Sequence, residues 1–551
     1  MSDEAVQQWW RDAVVYEVYP RSFADGDDDG VGDLAGLRLR LPYLRDLGVD
    51  ALWLTPWYPS PMEDGGYDVR DYRDVDPRLG TLADADAVIA EAHDLGLRVI
   101  VDIVPNHTSR EHPWFVEALA APDGHPSRDR YYFRDGRGPD GSEPPNDWIS
   151  AFGGSAWERT TRADGSPGQW YLHIFAPGQP DLDWRNPDVV EEFDDILRFW
   201  FDRGVDGLRV DAVPALGKAP GLPDAGHEPG ARFETRSWTD SPYWDREEVH
   251  EVLRHWRRVA DSYGDRVLVA EAVVAGPDAL AAYVREDEVH ASFNFDFLTC
   301  PWRAGALRDV VDSTLASHGS VGAAATWVLS SHDEVRHLTR LGLRAEQTRG
   351  TGAQAGLRPD DVDLGLGTRR ARAAALLLLG LPGSAYLWQG EELGLPEVID
   401  LPPEVREDPV FRQSGGTELG RDGCRVPLPW SGDEPPFGFS APGVATWLPQ
   451  PEAWAALTAE RQSVEQGSVL RLYRDALRLR REHRDVRAGA FEWLDLGEAA
   501  VAFRLGGRFS CVVNLGADAV PLDGHGDLLL HSRHGGSGAV EQDEAAWLLL
   551  P

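Results

Sequence analysis

The chain has 551 residues and a formal charge of −38, and Lys218 is its single lysine, so arginine supplies nearly all the cations. A field that acidic repels nucleic acid and anionic membranes and leaves neutral or cationic small ligands as partners. Hydrophobic residues make up 42% of the sequence, and 21 Trp, 18 Phe and 14 Tyr require a large packed core, which excludes a disordered chain.

The segment Met1–Trp10 is acidic and lacks the apolar stretch of a signal peptide. No run of about eighteen apolar residues predicts a membrane span. Cys300, Cys424 and Cys511 are odd in number and widely spaced, so neither a disulfide framework nor a Cys-x-x-Cys metal site is expected. A cytoplasmic protein, monomeric or homodimeric, is the simplest expectation.

Along the chain, short β-branched runs alternate with amphipathic stretches, the pattern of parallel βα units. Strands are predicted at Val14–Tyr19, Ala51–Thr55, Arg98–Val104, Gly207–Val210, Val267–Ala270, Ala291–Phe295, Thr326–Leu329 and Ala385–Trp388. Helices are predicted between them, for example Leu82–Leu95 and Val189–Asp202. In the latter, Phe193, Ile196, Leu197 and Trp200 recur at helical spacing. Eight such units predict an α/β fold, a (β/α)8 TIM barrel, over residues 1–107 and 180–484. The stretch 108–179, rich in Gly, Pro, Trp and Asp, reads as a domain inserted after strand three. Leu393–Phe439 is irregular. After a helix at Ser468–His483, the strands Phe491–Leu494, Ala499–Leu505 and Phe509–Asn514 predict a C-terminal antiparallel β domain, a small sandwich over 485–551.

Barrel enzymes carry their chemistry at the C-terminal strand ends. Strand three ends in Asp102-Ile-Val-Pro-Asn106-His107, strand four in Arg209-Val-Asp211, strand five in Ala270-Glu271, and strand seven in Ser331-His332-Asp333. Arg209 and Asp211, two apart, share a strand face, so the arginine is expected to hold Asp211 ionised. An acid taken alone is most simply a cap or a surface charge. Acids at three strand ends, with Arg and His beside them, suit glycoside cleavage, in which one carboxylate attacks and a second carboxyl donates a proton. Zinc-protease, phosphate-loop and nucleophile-elbow motifs are missing.

These segments resemble the four signature segments of the α-amylase family of glycoside hydrolases, in the family's order, and more closely its α-glucosidase and oligo-1,6-glucosidase branch. Gln179-Pro-Asp-Leu-Asp-Trp184, Val18-Tyr-Pro-Arg-Ser-Phe23, Gly66-Tyr67-Asp68, Trp388-Gln-Gly-Glu-Glu392 and Gly420-Arg-Asp-Gly-Cys-Arg425 are also similar to that branch. The resemblance implies Asp211 as nucleophile, Glu271 as acid/base, and Asp333 as stabiliser of the transition state. It implies Arg209 as the group orienting Asp211, and Tyr67, Asp68, His107, His332 and Arg425 as ligands of glucose. The inserted domain would wall a pocket, with Phe152 and Phe175 near its face. Ala212, after the nucleophile, goes in this branch with α-1,4 over α-1,6 linkages. Ser331, Val273 and Asp183 depart from the branch's usual residues without removing a catalytic group.

Asp25-Gly-Asp27-Asp-Asp29-Gly-Val31-Gly-Asp33 places acids at alternate positions, as a hard cation requires, although Gly36 stands where an EF-hand has Glu. A plain acidic turn is the alternative. The resemblance implies a structural calcium, with magnesium as the other choice, held by Asp25, Asp27, Asp29 and Asp33 and the carbonyl of Val31. No organic cofactor is expected. The expected activity is retaining, exo-acting hydrolysis of terminal α-1,4-linked glucose from maltose-like substrates. A transglucosylase or a sucrose- or isomaltose-active enzyme on the same scaffold is the first alternative, and an inactive sugar-binding subunit the second.

Overall fold

The computed structural model describes residues 8–228, 230–234, 238, 240–344 and 357–551. The expectation for Met1–Trp10 therefore lies largely outside them.

All eight predicted barrel strands form: β1 Val14–Val18, β2 Ala51–Leu54, β3 Arg98–Ile103, β4 Gly207–Val210, β5 Val267–Ala270, β6 Ala291–Ser292, β7 Thr326–Val328 and β8 Ser384–Trp388. They make one sheet in the order β7-β8-β1-β2-β3-β4-β5-β6, and every pairing is parallel. The sheet is a nearly closed barrel. Its strands read as continuous apolar runs because helices cover the outside and side chains fill the inside. Alternation still sorts the two sides. Tyr16, Leu52, Val99 and Leu208 join the outer core under the helices, whereas Val15, Trp53, Ile100, Val269 and Phe293 pack together within the barrel. By the same period of two, Glu17 follows Val15 inward, Asp102 follows Ile100, and Arg209 lies level with Asp102 across the β3–β4 pair. Polar side chains therefore cap an apolar barrel floor.

The helices follow local rules. Asp33 caps Leu34–Leu47 by accepting from Gly36 N at 2.6 Å, and Gly48, at φ 98°, ends it. Thr81 and Asp84 form a reciprocal capping box on Leu82–Asp94. Pro187–Asp202 starts on an Asn186 cap with proline at its first position and buries Phe193, Ile196, Leu197 and Trp200. Gly207 opens β4 because a Cβ there would lie 2.3 Å from Val267 Cγ1 on the neighbouring strand.

The segment after β3 has more order than its sequence pattern promised. It contains a helix, Pro113–Ala120, and a three-stranded antiparallel sheet of Phe133–Arg134, Trp157–Thr161 and Pro167–Leu172. A bridge between His107 and Asp181 ties its two ends together. The chain ends in a five-stranded antiparallel sheet built on Ala500–Leu505, Phe509–Asn514 and Glu544–Leu549, with a separate two-stranded ladder nearby. One face of that sheet docks on the helix Leu364–Gly380, where Trp547 Nε1 donates to Leu376 O at 2.9 Å. No helix among the described residues is long and apolar enough to cross a membrane.

Candidate active site

Arg209 is the centre of the polar layer. Its Nη1 donates to Asp102 Oδ1 and to Asp211 Oδ1, both at 2.7 Å, and its Nη2 donates to Glu271 Oε2 at 2.6 Å. Asp211 and Glu271 are themselves close enough to share a hydrogen bond. The expected pull of Arg209 on Asp211 is present, but it is outweighed. Burial, reinforced by the Glu271 and Asp102 carboxyls, pushes Asp211 well above the usual carboxylate range. One guanidinium is divided among three carboxyls, so its pull on each is weakened. Burial likewise moves Asp102 up to about 6 against the pull of Arg209. Tyr67 OH donates to Asp102 Oδ2 at 2.9 Å and completes the layer.

Asp333 sits across this layer in a different field. Arg421 Nη1 lies 2.9 Å and Arg425 Nη2 3.0 Å from its Oδ1. Despite burial, the charges around it, those of Arg421 and Arg425 among them, hold it below its usual range. His332 stacks on Tyr67, centroids 5.2 Å apart and planes 6° from parallel. Arg425 also donates from Nε to His332 O at 2.8 Å.

His107 is buried, with Nε2 3.1 Å from Tyr67 O and from Gln179 Nε2, and burial lowers its pKa to about 4, so it stays neutral. Phe175 packs on His107 at 5.1 Å and Phe152 on Phe175 at 5.9 Å. The Arg421 guanidinium lies 5.4 Å over Phe152. Ala212 adopts φ 44° and donates its N–H to Glu271 Oε2 at 3.2 Å. The structure thus gathers the expected residues from β4, β5, β7, the inserted segment and the irregular stretch around 420 into one connected set.

Asp68 is the exception. It is fully buried, and its carboxylate accepts from Ser60 Oγ at 2.8 Å, Glu63 N at 2.9 Å and Asp64 N at 3.2 Å. It fastens the loop from beneath and does not line the site. Asp64, four residues earlier, joins the connected set instead: Oδ1 accepts from Arg421 at 2.5 Å and Oδ2 from Gln179 at 3.1 Å. Asp64, Arg421 and Glu17 were not singled out from the sequence. Glu17 had a signal, a charged residue inside an otherwise apolar strand; Asp64 and Arg421 had none that set them apart from Asp68 and Arg425.

Two further features fix the surrounding loops. Lys218 Nζ, fully buried, bonds Asp181 Oδ2 at 2.6 Å, Asn106 Oδ1 at 2.7 Å and Ala215 O, tying the loop after β4 to the chain on both sides of the inserted segment. That loop then runs outward. Asp147 accepts from the N–H groups of Ala225, Gly226 and His227 at 2.6, 2.7 and 2.9 Å, and Trp244 donates to Val273 O at 2.8 Å. Arg232 reaches Glu418 in the irregular stretch at 3.6 Å.

Apart from this site, Asp25, Asp27 and Asp29 each present an oxygen within 4.8 Å of the others. Hard oxygen donors that close fit a calcium or magnesium ion. Asp33 stands next to the trio as a helix cap, both of its oxygens accepting backbone N–H groups, from Gly36 at 2.6 Å and Gly26 at 3.1 Å. Val31 donates its N–H to Asp29 at 2.8 Å.

Parallel barrel, strand-end acids and the arginines paired with them together define a carbohydrate-cleaving barrel enzyme. Residues 17–489 match the family profile described as alpha amylase, catalytic domain. The chain is 36% identical to a probable alpha-glucosidase of Rhizobium meliloti, over 95% of this chain and 94% of that one. It is 33% identical to an oligo-1,6-glucosidase of Parageobacillus thermoglucosidasius, over 88% and 85%. Among solved structures, the alpha-glucosyl transfer enzyme XgtA matches with TM-score 0.83 at 35% identity, covering 98% of this chain and 99% of that one. The trehalulose synthase MutB of Pseudomonas mesoacidophila matches with TM-score 0.84 at 30% identity, with the same coverage. The chain belongs to the alpha-amylase family of glycoside hydrolases.

Proposed function

We propose that this protein is a retaining, exo-acting α-glucosidase that removes terminal α-1,4-linked glucose from maltose-like substrates. The observation that carries the reading is the Arg209 fork, which holds Asp211 at 2.7 Å and Glu271 at 2.6 Å from one guanidinium. Carboxyls this close leave no room for a water between acid and base, and suit direct attack with a covalent glycosyl intermediate. With a proton on Glu271, Asp211 is the anion that attacks the anomeric carbon while Glu271 protonates the departing oxygen. Glu271 then takes a proton from water, which releases glucose from Asp211. Asp333, ionised, hydrogen-bonds the sugar as the ring flattens.

Exo-action on short substrates is supported by the joined side chains of Asp64, Arg421 and Asp333 and by the link from Arg232 to Glu418. The small side chain of Ala212 supports the α-1,4 preference. Ala212→Val is expected to move the maltose-to-isomaltose ratio of kcat/KM toward isomaltose by about tenfold. A structural calcium at Asp25, Asp27 and Asp29 goes with this reading, with charge neutralisation as its role. Three cysteines kept as thiols fit a cytoplasmic setting.

Glucosyl transfer, including sucrose isomerisation, is the second reading, favoured by the likeness to XgtA and to the trehalulose synthase. Both readings share the covalent step and differ in the acceptor. Chromatography of products from maltose, isomaltose and sucrose, with Asp211→Asn as control, separates them. Free glucose from maltose supports hydrolysis. Isomerised sucrose or longer saccharides as the main products would replace it with transfer.

A further inference from the structure

Glu17 has no part in the chemistry above, yet it is a carboxyl only 1% exposed at the inner end of β1. Its Oε1 lies 2.5 Å from His332 Nδ1 and 3.3 Å from the His332 backbone N–H. The other ring nitrogen, Nε2, is 3.3 Å from Asp333 Oδ2 and finds no well-aligned hydrogen-bond partner among the described residues. The ring is fixed in plane by stacking on Tyr67 and, at 6.3 Å and 14°, on Tyr19.

A neutral imidazole has one N–H. Asp333, paired with Arg421 and Arg425, offers lone pairs only. A lone pair on Nε2 would face that anion; a proton on Nε2 is attracted to it. The ring proton therefore belongs on Nε2, and Nδ1 is left as an acceptor. An acceptor at 2.5 Å from a carboxyl oxygen requires the carboxyl to be the donor.

We propose that Glu17 and His332 share one proton between Oε1 and Nδ1, and that Glu17 thereby keeps the Nε2–H of His332 aimed at Asp333 and at the sugar hydroxyl that binds there. Glu17 is a positioning residue acting through His332. The charged groups facing the pair are Asp333, Asp102, Arg209, Arg421 and Arg425. Burial, with the Asp333 charge, raises the Glu17 carboxyl well above its usual range, and burial lowers His332, so both directions favour a neutral pair. The shared proton stands on geometry alone; only its service to the sugar rests on the glycosidase reading.

The test is proton NMR of the full chain with 15N-labelled histidine, together with maltose kinetics. The parent should show a far-downfield proton and His332 as the Nε2-H tautomer. Glu17→Gln, whose amide can still donate to Nδ1, should return that proton to the ordinary amide region and keep kcat within about threefold. Glu17→Met, of similar size but without a donor, should abolish the signal and lower kcat by at least about tenfold with a smaller change in KM. A parent spectrum with His332 protonated on Nδ1, a downfield proton that survives Glu17→Met, or parental kcat in Glu17→Met overturns the proposal. If Glu17→Met does not fold, the parent tautomer and Glu17→Gln decide. If the parent turns over no α-glucoside, the enzymatic reading fails, while the spectra still judge the proton.

Discussion

Arg421 and Asp64, 357 positions apart in the chain, meet at 2.5 Å beside Asp333. The same guanidinium also bonds Asp408 at 2.5 Å and Asp333 at 2.9 Å, so three carboxylates depend on it. Breaking one partner of a buried pair costs about 3–5 kcal/mol, because the other charge stays buried without compensation. Arg421→Ala should therefore raise KM for maltose and lower kcat/KM by at least about a hundredfold. Steady-state kinetics on maltose checks this, and an unchanged KM would remove Arg421 from the sugar's surroundings.

Glu271→Gln separates proton donation from attack. On maltose, whose leaving group needs a proton, kcat should fall by about 10²–10⁴. On α-glucosyl fluoride, whose leaving group does not, the first step should survive and a burst of fluoride should precede slow turnover. Rapid-mixing fluoride release reads this directly. Equal loss on both substrates would mean that Glu271 does not serve as the acid.

Acid should destabilise the fold through its buried histidines. His290 Nδ1 accepts from Leu268 N at 3.0 Å, and burial, aided by Arg257 and Arg11, holds its pKa down to about 3. The unfolded chain takes up that proton near pH 6.5, whereas the folded chain refuses it until near pH 3. Below about pH 6.5 the unfolded state thus binds more protons, and stability falls as pH drops through that window, by at most about 1.4 kcal/mol per pH unit for each such histidine. Thermal melts between pH 7 and 4 should show a smaller decline for His290→Gln, which keeps an acceptor for Leu268 but does not titrate. An identical decline would assign the acid sensitivity to other groups.

The Asp25–Asp29 loop is clasped to the 439–447 stretch, with Ser440 Oγ donating to Asp25 at 2.6 Å and Ala441 N to Asp28 at 2.7 Å. Calcium at about a hundred times its Kd would stabilise the protein by about 2.7 kcal/mol. Chelation should therefore lower Tm by a few degrees while leaving kcat at 25 °C nearly unchanged, and Asp27→Asn should blunt the response. Differential scanning calorimetry with and without calcium is the check. A Tm indifferent to both metal and chelator would leave a plain acidic turn.

The sequence by itself determined the barrel and the acids at its strand ends, for a local reason. Strand period, helix caps and strand-end position are properties of a few neighbouring residues. They suffice to put Asp211, Glu271 and Asp333 at the ends of β4, β5 and β7. They also place Arg209 beside Asp211, and the structure keeps that contact at 2.7 Å. Only the tertiary structure decided how that arginine is shared, which of two nearby aspartates meets Arg421, and what stands behind His332. Asp64 and Asp68 are four residues apart in one loop, and nothing local distinguishes them. Arg421 selects Asp64, whereas Ser60 and two backbone N–H groups take up Asp68. The field on Asp211 likewise depends on Asp102 and Glu271, delivered by neighbouring strands. Long-range charge pairing and desolvation are set by where the chain returns, which one-dimensional pattern does not encode.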